Sequence, residues 1–305
     1  MKTSLLTLLL AKQLALSLAG TIDLSKMNAH RPFVSFDELP LHEGDPPYSA
    51  WGLYGDDDEL GRINLITSEV TKKASKEIRS GETVPLKKTS VVQMKQIELE
   101  SKVSSALDDP VATLTNFISD IANHPIATRG VLLDYVEYAA ARNISYDAFT
   151  SHTISHEILQ EIADEHGIRF QTGDVLLVRS GWYLQYAALN ETEQLSLSNR
   201  EGDRRTHVGV KATIAAARWQ WEHGFAAVAG DTVAYESMPL GGGGDGTKLH
   251  EIFLSGWAMP IGESFDLEKL AKRCKEQGRY TFFFTSQPLN LPGGVASPPN
   301  AMAVF

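Results

Sequence analysis

Apolar positions recur every three to four residues in several stretches, each closed by a helix stop. In "TSEVTKKASKEIRSG" Val70, Ala74 and Ile78 fall at helical spacing, Thr67 and Ser68 supply caps, and Gly81 ends the run. In "SHEILQEIADEHG" Ile158, Leu159, Ile162 and Ala163 share one face, Ser155 caps it and Gly167 stops it. "VGVKATIAAARWQWEHG" ends at Gly224, and "DLEKLAKRCKEQG" ends at Gly278 with Leu267, Leu270, Ala271 and Cys274 on one side. Between these lie short apolar runs rich in β-branched and aromatic residues: "GVLLDY", "DVLLVRSGW", "FAAVAGDT" and "YTFFFTSQPL". They predict buried strands. Strand and helix alternate over the C-terminal two-thirds, so the class is α/β, in one domain. The polar, weakly periodic stretch between Leu86 and Phe117 predicts a connector, long for a compact domain. The last stretch, "LPGGVASPPNAMAVF", joins apolar residues to rigid prolines and is expected to pack into the core rather than trail from it.

Composition narrows the partners. The chain has 305 residues, 43% hydrophobic and 22% charged, enough for a substantial core. A net charge of -10 carries no basic footprint, which points away from nucleic acid and toward a small molecule. The single cysteine, Cys274, forms no intramolecular disulfide or cysteine-based zinc site, and its helical face predicts buried filler. "MKTSLLTLLLAKQLALSLAG" has the lysine, leucine-rich run and small residues of a secretory signal, interrupted at Lys12 and Gln13. Residues 1–26 therefore read as a signal peptide or an N-terminal extension before a domain over 27–305. The protein is secreted, starting near Gly20, if residues 1–19 are a signal; otherwise it is cytoplasmic. The leader is too short and interrupted to span a membrane. Asn143-Ile144-Ser145 and Asn190-Glu191-Thr192 are glycosylation sequons.

Several motifs have plain structural readings. "GGGGDGTK" nearly matches a phosphate loop, but Thr247 precedes Lys248 and Pro239 interrupts the approach, so a flexible loop is expected. His152 and His156 stand four apart, yet Ser155 reads as a helix cap that leaves His152 off the helix. The acids Asp56 to Glu59 lack a calcium-loop frame and are expected to cap a turn before Gly61. "AGDTVAYE" places Asp231 just past an apolar run, where α/β enzymes set working residues. His250 and Glu263 follow in "LHEIFLSGWAMPIGE". Imidazole and carboxylate together suit zinc or manganese. Alternatively, Asp231 and Glu263 cap turns and His250 is an ordinary helix residue.

The segments "FDELPLHEGDPPYSAWGLYGDDDELGRINLIT", "RGVLLDY", "VAGDTVAYESMP", "LHEIFLSGWAMPIGESFDLEKLA" and "FFFTSQPLNLPGGVASPPNAMAVF" together resemble the cyclase family, the kynurenine formamidase and isatin hydrolase superfamily, in its fungal branch. The resemblance implies a swivelling β/β/α fold, a homo-oligomer, and a metal-dependent hydrolase or cyclase acting on an amide or lactone, in some members within secondary metabolism. It makes His250 and Glu263 metal ligands, with Asp231 orienting them from behind. The family's hallmark His-x-Gly-Thr-His-x-Asp-x-Pro, or its fungal variant with Gln-Trp-Asp-Gly, belongs between Leu86 and Phe117. That window has no histidine or tryptophan, and its aspartates are Asp108 and Asp109. The segment reads as deleted or replaced, with His124, His152 and His156 as substitutes to examine. Manganese or zinc is expected to bind weakly or not at all. The alternatives are a catalytically degenerate binding protein and a truncated gene model. The apolar residues around Trp257 and Trp182 suggest an aromatic or alicyclic ligand.

Overall fold

The computed structural model describes residues 34–86, 121–239, 245–289 and 296–305. The described residues contain the strands β1 (Thr83–Pro85), β2 (Ile126–Asp134), β3 (Thr153–Ile154), β4 (Val175–Arg179), β5 (Gly209–Val210), β6 (Ala227–Gly230), β7 (Ile261–Gly262), β8 (Thr281–Ser286) and β9 (Ala301–Val304). Seven form a mixed sheet in the order β1-β9-β8-β2-β4-β6-β7, and β3 pairs with β5. Pairing is antiparallel from β1 through β9 and β8 to β2, and parallel from β2 through β4 and β6 to β7. The four apolar runs of the sequence become four adjacent strands, β8, β2, β4 and β6. Val131, Leu132, Leu133, Leu176 and Leu177 are all fully buried, as expected of strands covered on both faces.

The described helices are α1 (Ser68–Ala74), α2 (Tyr135–Ala141), α3 (His156–Glu165), α4 (Trp182–Ala187), α5 (Glu191–Ser198), α6 (Ile214–Glu222) and α7 (Glu268–Gln277). Local chemistry sets their ends. The Thr67 hydroxyl accepts from the Val70 N–H at 3.2 Å, and Ser155 caps α3. Gly278 leaves α7 in the left-handed region, where a side chain would be strained. The first predicted helix is shorter than its apolar spacing. After Ala74 it tightens to a 3-10 turn, Ser75–Glu77, and Ile78 stays 41% exposed. The run ahead of α6 is not helical. Thr213 caps α6 through the Ala216 N–H, and Gly209–Val210 form β5 instead.

The C-terminal expectation holds for the described part. β9 inserts between β1 and β8, and Ala303 and Phe305 are fully buried. Residues 290–295 lie outside the described residues, as do 1–33 and the window between Leu86 and Phe117. No helix among the described residues is long and apolar enough to cross a membrane. Asn143 sits at positive φ in an exposed turn after α2, and Asn190 forms a capping box with Glu193 at the start of α5.

Charged pairs tie the strand ends together. At one end Arg129 grips Asp174 with two bonds of 2.9 and 2.6 Å. At the carboxyl ends of β2 and β4, Arg179 donates twice to Asp134 and twice to Glu268 of α7, at 2.7–3.0 Å.

Candidate functional site

The segment after β6 turns back along residues 207–210. Val210 donates to the Tyr235 carbonyl at 3.0 Å, Ser237 to Val210 at 3.0 Å, and Met238 to His207 at 3.1 Å. The approach requires glycine at 209: a Cβ there would lie 2.5 Å from the Glu236 carbonyl carbon. This backbone pairing delivers Glu236, fully buried, to the start of a helical segment that continues as a π-helical turn, Glu251–Gly256. Its carboxylate accepts the Leu249 and His250 N–H groups, both at 2.9 Å, and His250 Nδ1 at 2.7 Å. An anion suits the unpaired amides of a helix start. The opposite ring nitrogen, His250 Nε2, stands 2.9 Å from Glu263 Oε1, just past β7. His250 and Glu263, which the resemblance named together, meet in the fold.

The imidazole lies between two carboxylates. Burial works against its charge, but hydrogen bonds and attraction from Glu236 and Glu263 outweigh it and hold the His250 pKa up at about 9. At pH 7 the ring is an imidazolium donating from both nitrogens. His207 is close enough to feel this charge. It is buried, donates from Nδ1 to the Val208 carbonyl at 3.0 Å and meets Thr232 Oγ1 at 3.2 Å. Burial, then His250, depress its pKa, so it stays neutral.

Asp231 departs from the role expected of it. Its Oδ1 accepts the Ser180 N–H and hydroxyl, both at 2.7 Å, and its Oδ2 accepts the Gly181 N–H at 2.9 Å. It ties the end of β6 to the turn after β4, and the carboxylate that orients His250 is Glu236. Burial raises the Asp231 pKa to about 6. Sequence reasoning missed Glu236 although it lies in "AGDTVAYESMP"; the strand-end position drew attention to Asp231, and only the pairing with residues 207–210 reveals the other acid.

The remaining candidates separate. His152 bonds the Tyr135 hydroxyl at 2.7 Å and stacks on Tyr146, whereas His156 opens α3 beside Glu157. His124 donates its backbone N–H to Ile121 at the turn before β2. Asp58 caps the turn at Gly61, as expected of the acidic run, accepting that N–H at 2.8 Å. Residues 240–244 of the glycine loop are outside the described residues, and Asp245 beyond them accepts the Ile214 N–H at the start of α6. Cys274 is buried, and burial pushes its thiol pKa up. Trp257 is core, donating to the Tyr48 carbonyl and stacking on Phe253; Trp182 stacks on Tyr186.

A cavity of about 180 Å³ opens beside Glu263, lined among others by Ile126, Val175, Ala229, Phe265 and Phe284, with Ser297–Asn300 at its rim. Neither Trp182 nor Trp257 lines it. Among the described residues no group of three or more His, Cys, Asp or Glu side chains stands close enough to hold a metal ion. A catalytic zinc usually takes three protein ligands. The described residues offer His250 Nε2 and Glu263 Oε1, which already satisfy each other. This donor set does not fit a tightly held catalytic metal.

The chain matches the family described as "Putative cyclase" over residues 22–237. The chain belongs to the cyclase family. The family match ends before His250 and Glu263. A solved structure of a novel cyclase superposes with a TM-score of 0.65 at 23% identity, covering 84% of this chain and 99% of that one, so the cyclase fold is shared. Isatin hydrolase A from Labrenzia aggregata, bound to benzyl benzoate, aligns at 17% identity and TM-score 0.44, over 66% of this chain and 68% of that one. A potential metal-dependent hydrolase with cyclase activity aligns at 15% identity and TM-score 0.35, over 58% and 65%. No curated protein matches the chain.

Proposed function

We propose that this cyclase-family chain is of the metal-dependent hydrolase or cyclase kind, directed at an amide, lactone or related carbonyl of a small cyclic metabolite, and that it carries only half of the metal centre. The reading rests on one observation: His250 Nε2 faces Glu263 Oε1 at 2.9 Å while Glu236 holds Nδ1 from behind. A carboxylate behind an imidazole is how metal-binding histidines are commonly oriented. Two donors leave manganese or zinc weakly bound. Without the metal, His250 as an imidazolium can donate a proton or hydrogen bond to a carbonyl oxygen, but it cannot act as a base until it is deprotonated.

Metal analysis of the purified 305-residue chain tests the reading. The expected result is substoichiometric manganese or zinc and no hydrolysis of arylformamide or lactone substrates. Tightly bound stoichiometric metal, lost in His250→Ala, would overturn the half-centre, and residues outside the described set, Asp108 and Asp109 among them, would then complete it. Sequencing the transcript across residues 86–117 distinguishes a protein that has lost the segment from a sequence that lacks it. The same reading places the chain in a homo-oligomer, tested by sedimentation. It is secreted if native protein begins near Gly20, which N-terminal sequencing decides.

A further inference from the structure

The cavity beside Glu263 has an unusual division of polar groups. The Ser286 hydroxyl donates to the Asn300 carbonyl at 3.0 Å, the Ser297 hydroxyl to the Pro298 carbonyl at 3.2 Å, and the Asn300 amide to the Gln287 carbonyl at 3.1 Å. The hydroxyl donors of the lining are therefore already committed to backbone. Among the described residues no lysine, arginine or histidine lines the cavity. Glu263 does, and among the described residues its one hydrogen-bond partner is His250, through Oε1. Glu236, His250 and Glu263 together carry a net charge of -1 with a protonated ring and -2 with a neutral one. The rest of the wall is aliphatic and aromatic. At about 180 Å³ the space is slightly larger than the roughly 150 Å³ cavity that accepts benzene. An anion would meet a carboxylate and, among the described residues, no side-chain cation. A neutral ring would fill the space but leave Glu263 Oε2 unpaired.

We infer that this cavity is a binding site for a small one-ring organic cation, an aryl amidinium or arylmethylammonium, whose N–H groups are received by Glu263 Oε2 while its ring packs on Ile126, Ala229, Phe265 and Phe284. The inference rests on the cavity and its charge, and it concerns the metal-free chain, in which the Glu263 carboxylate is not neutralised by an ion.

Titration calorimetry of the full chain with benzamidinium, benzamide and benzoate tests it. Benzamidinium is expected to bind at least about tenfold more tightly than benzamide, as a charge-assisted bond requires, with benzoate weakest. Glu263→Gln should erase the preference for benzamidinium while leaving benzamide affinity within about twofold, because the amide retains shape but not charge. Ala296→Trp, on the rim, should weaken both ligands by filling the space, which locates the site if Glu263→Gln fails to fold. Equal affinity for benzamidinium and benzoate, or an unchanged benzamidinium affinity in both variants, would overturn the inference. Substoichiometric metal without benzamidinium binding would sink it while sparing the proposed function. Benzamidinium binding to the metal-free chain, with tight stoichiometric metal uptake on adding manganese or zinc, would support it while overturning the half-centre.

Discussion

Two sets of charges gather near the carboxyl ends of the parallel strands, and they are finished differently. Around Arg179, at the ends of β2 and β4, the guanidinium donates bidentately to Asp134 and to Glu268. Around His250, at the ends of β6 and β7, the ring nitrogens also meet two carboxylates, but among the described residues one Glu263 oxygen has no protein partner, and Glu263 borders a cavity. Both sets place a cation between two acids. The first leaves the arginine no approach for a ligand; the second has an acceptor to spare. Charge clusters alone do not mark a site in this molecule. The unspent lone pair beside an apolar space does.

The largest effect should come from breaking the closed set. Arg179→Met strands the buried Asp134 carboxylate and is expected to cost about 3–5 kcal/mol in denaturant unfolding. A loss below that of His250→Ala would erase the contrast. Asp231 sharpens it, being a buried anion held by neutral donors rather than by an arginine. Its pKa, raised from 3.8 to about 6, means the folded state holds the proton more tightly than the unfolded chain. Its favourable contribution is complete below pH 3.8 and is lost as pH rises through about 6. Relative to Asp231→Asn, the wild-type protein should lose about 3 kcal/mol over that window, by paired melts. A flat difference would refute the assignment. Glu236→Ala leaves the Leu249 and His250 amides and the imidazole Nδ1 without an acceptor, and should cost about 2 kcal/mol in chemical melts. Smallest is His250→Ala, about 1 kcal/mol at pH 7, because Glu263 is partly open to solvent and the buried Glu236 keeps the amide N–H groups of residues 249 and 250; a tenfold loss of benzamidinium or metal binding beside so small a loss of stability would show that this set serves ligands.

The parts of the fold that were legible are those whose signals are local. Continuous apolar runs marked β2, β4, β6 and β8, and caps such as Ser155 with stops such as Gly278 marked α3 and α7. The two-residue strands β3, β5 and β7 and the three-residue β1 carry too few positions for a period to emerge, and they exist because a partner segment pairs with them. His250 and Glu263 were legible through the family's order of residues. Glu236 was not, since its role depends on residues 207–210, which bring it to the helix start from 14 residues away. Ile78 misled because helical spacing predicts burial only if the helix lasts long enough to reach the sheet.

The place of β9 has a consequence for how the molecule is made. β1 pairs along residues 83–85 with residues 302–304, so among the described strands it waits on a partner translated more than 200 residues later. Until that segment leaves the ribosome, the antiparallel half of the sheet has a gap between β1 and β8, and β8, paired with β2 on one side, keeps an open edge on the other. Pairings so distant along the chain slow folding and expose edges to other chains. A nascent protein of this design depends on whatever shields the open edge of β8 until β9 emerges.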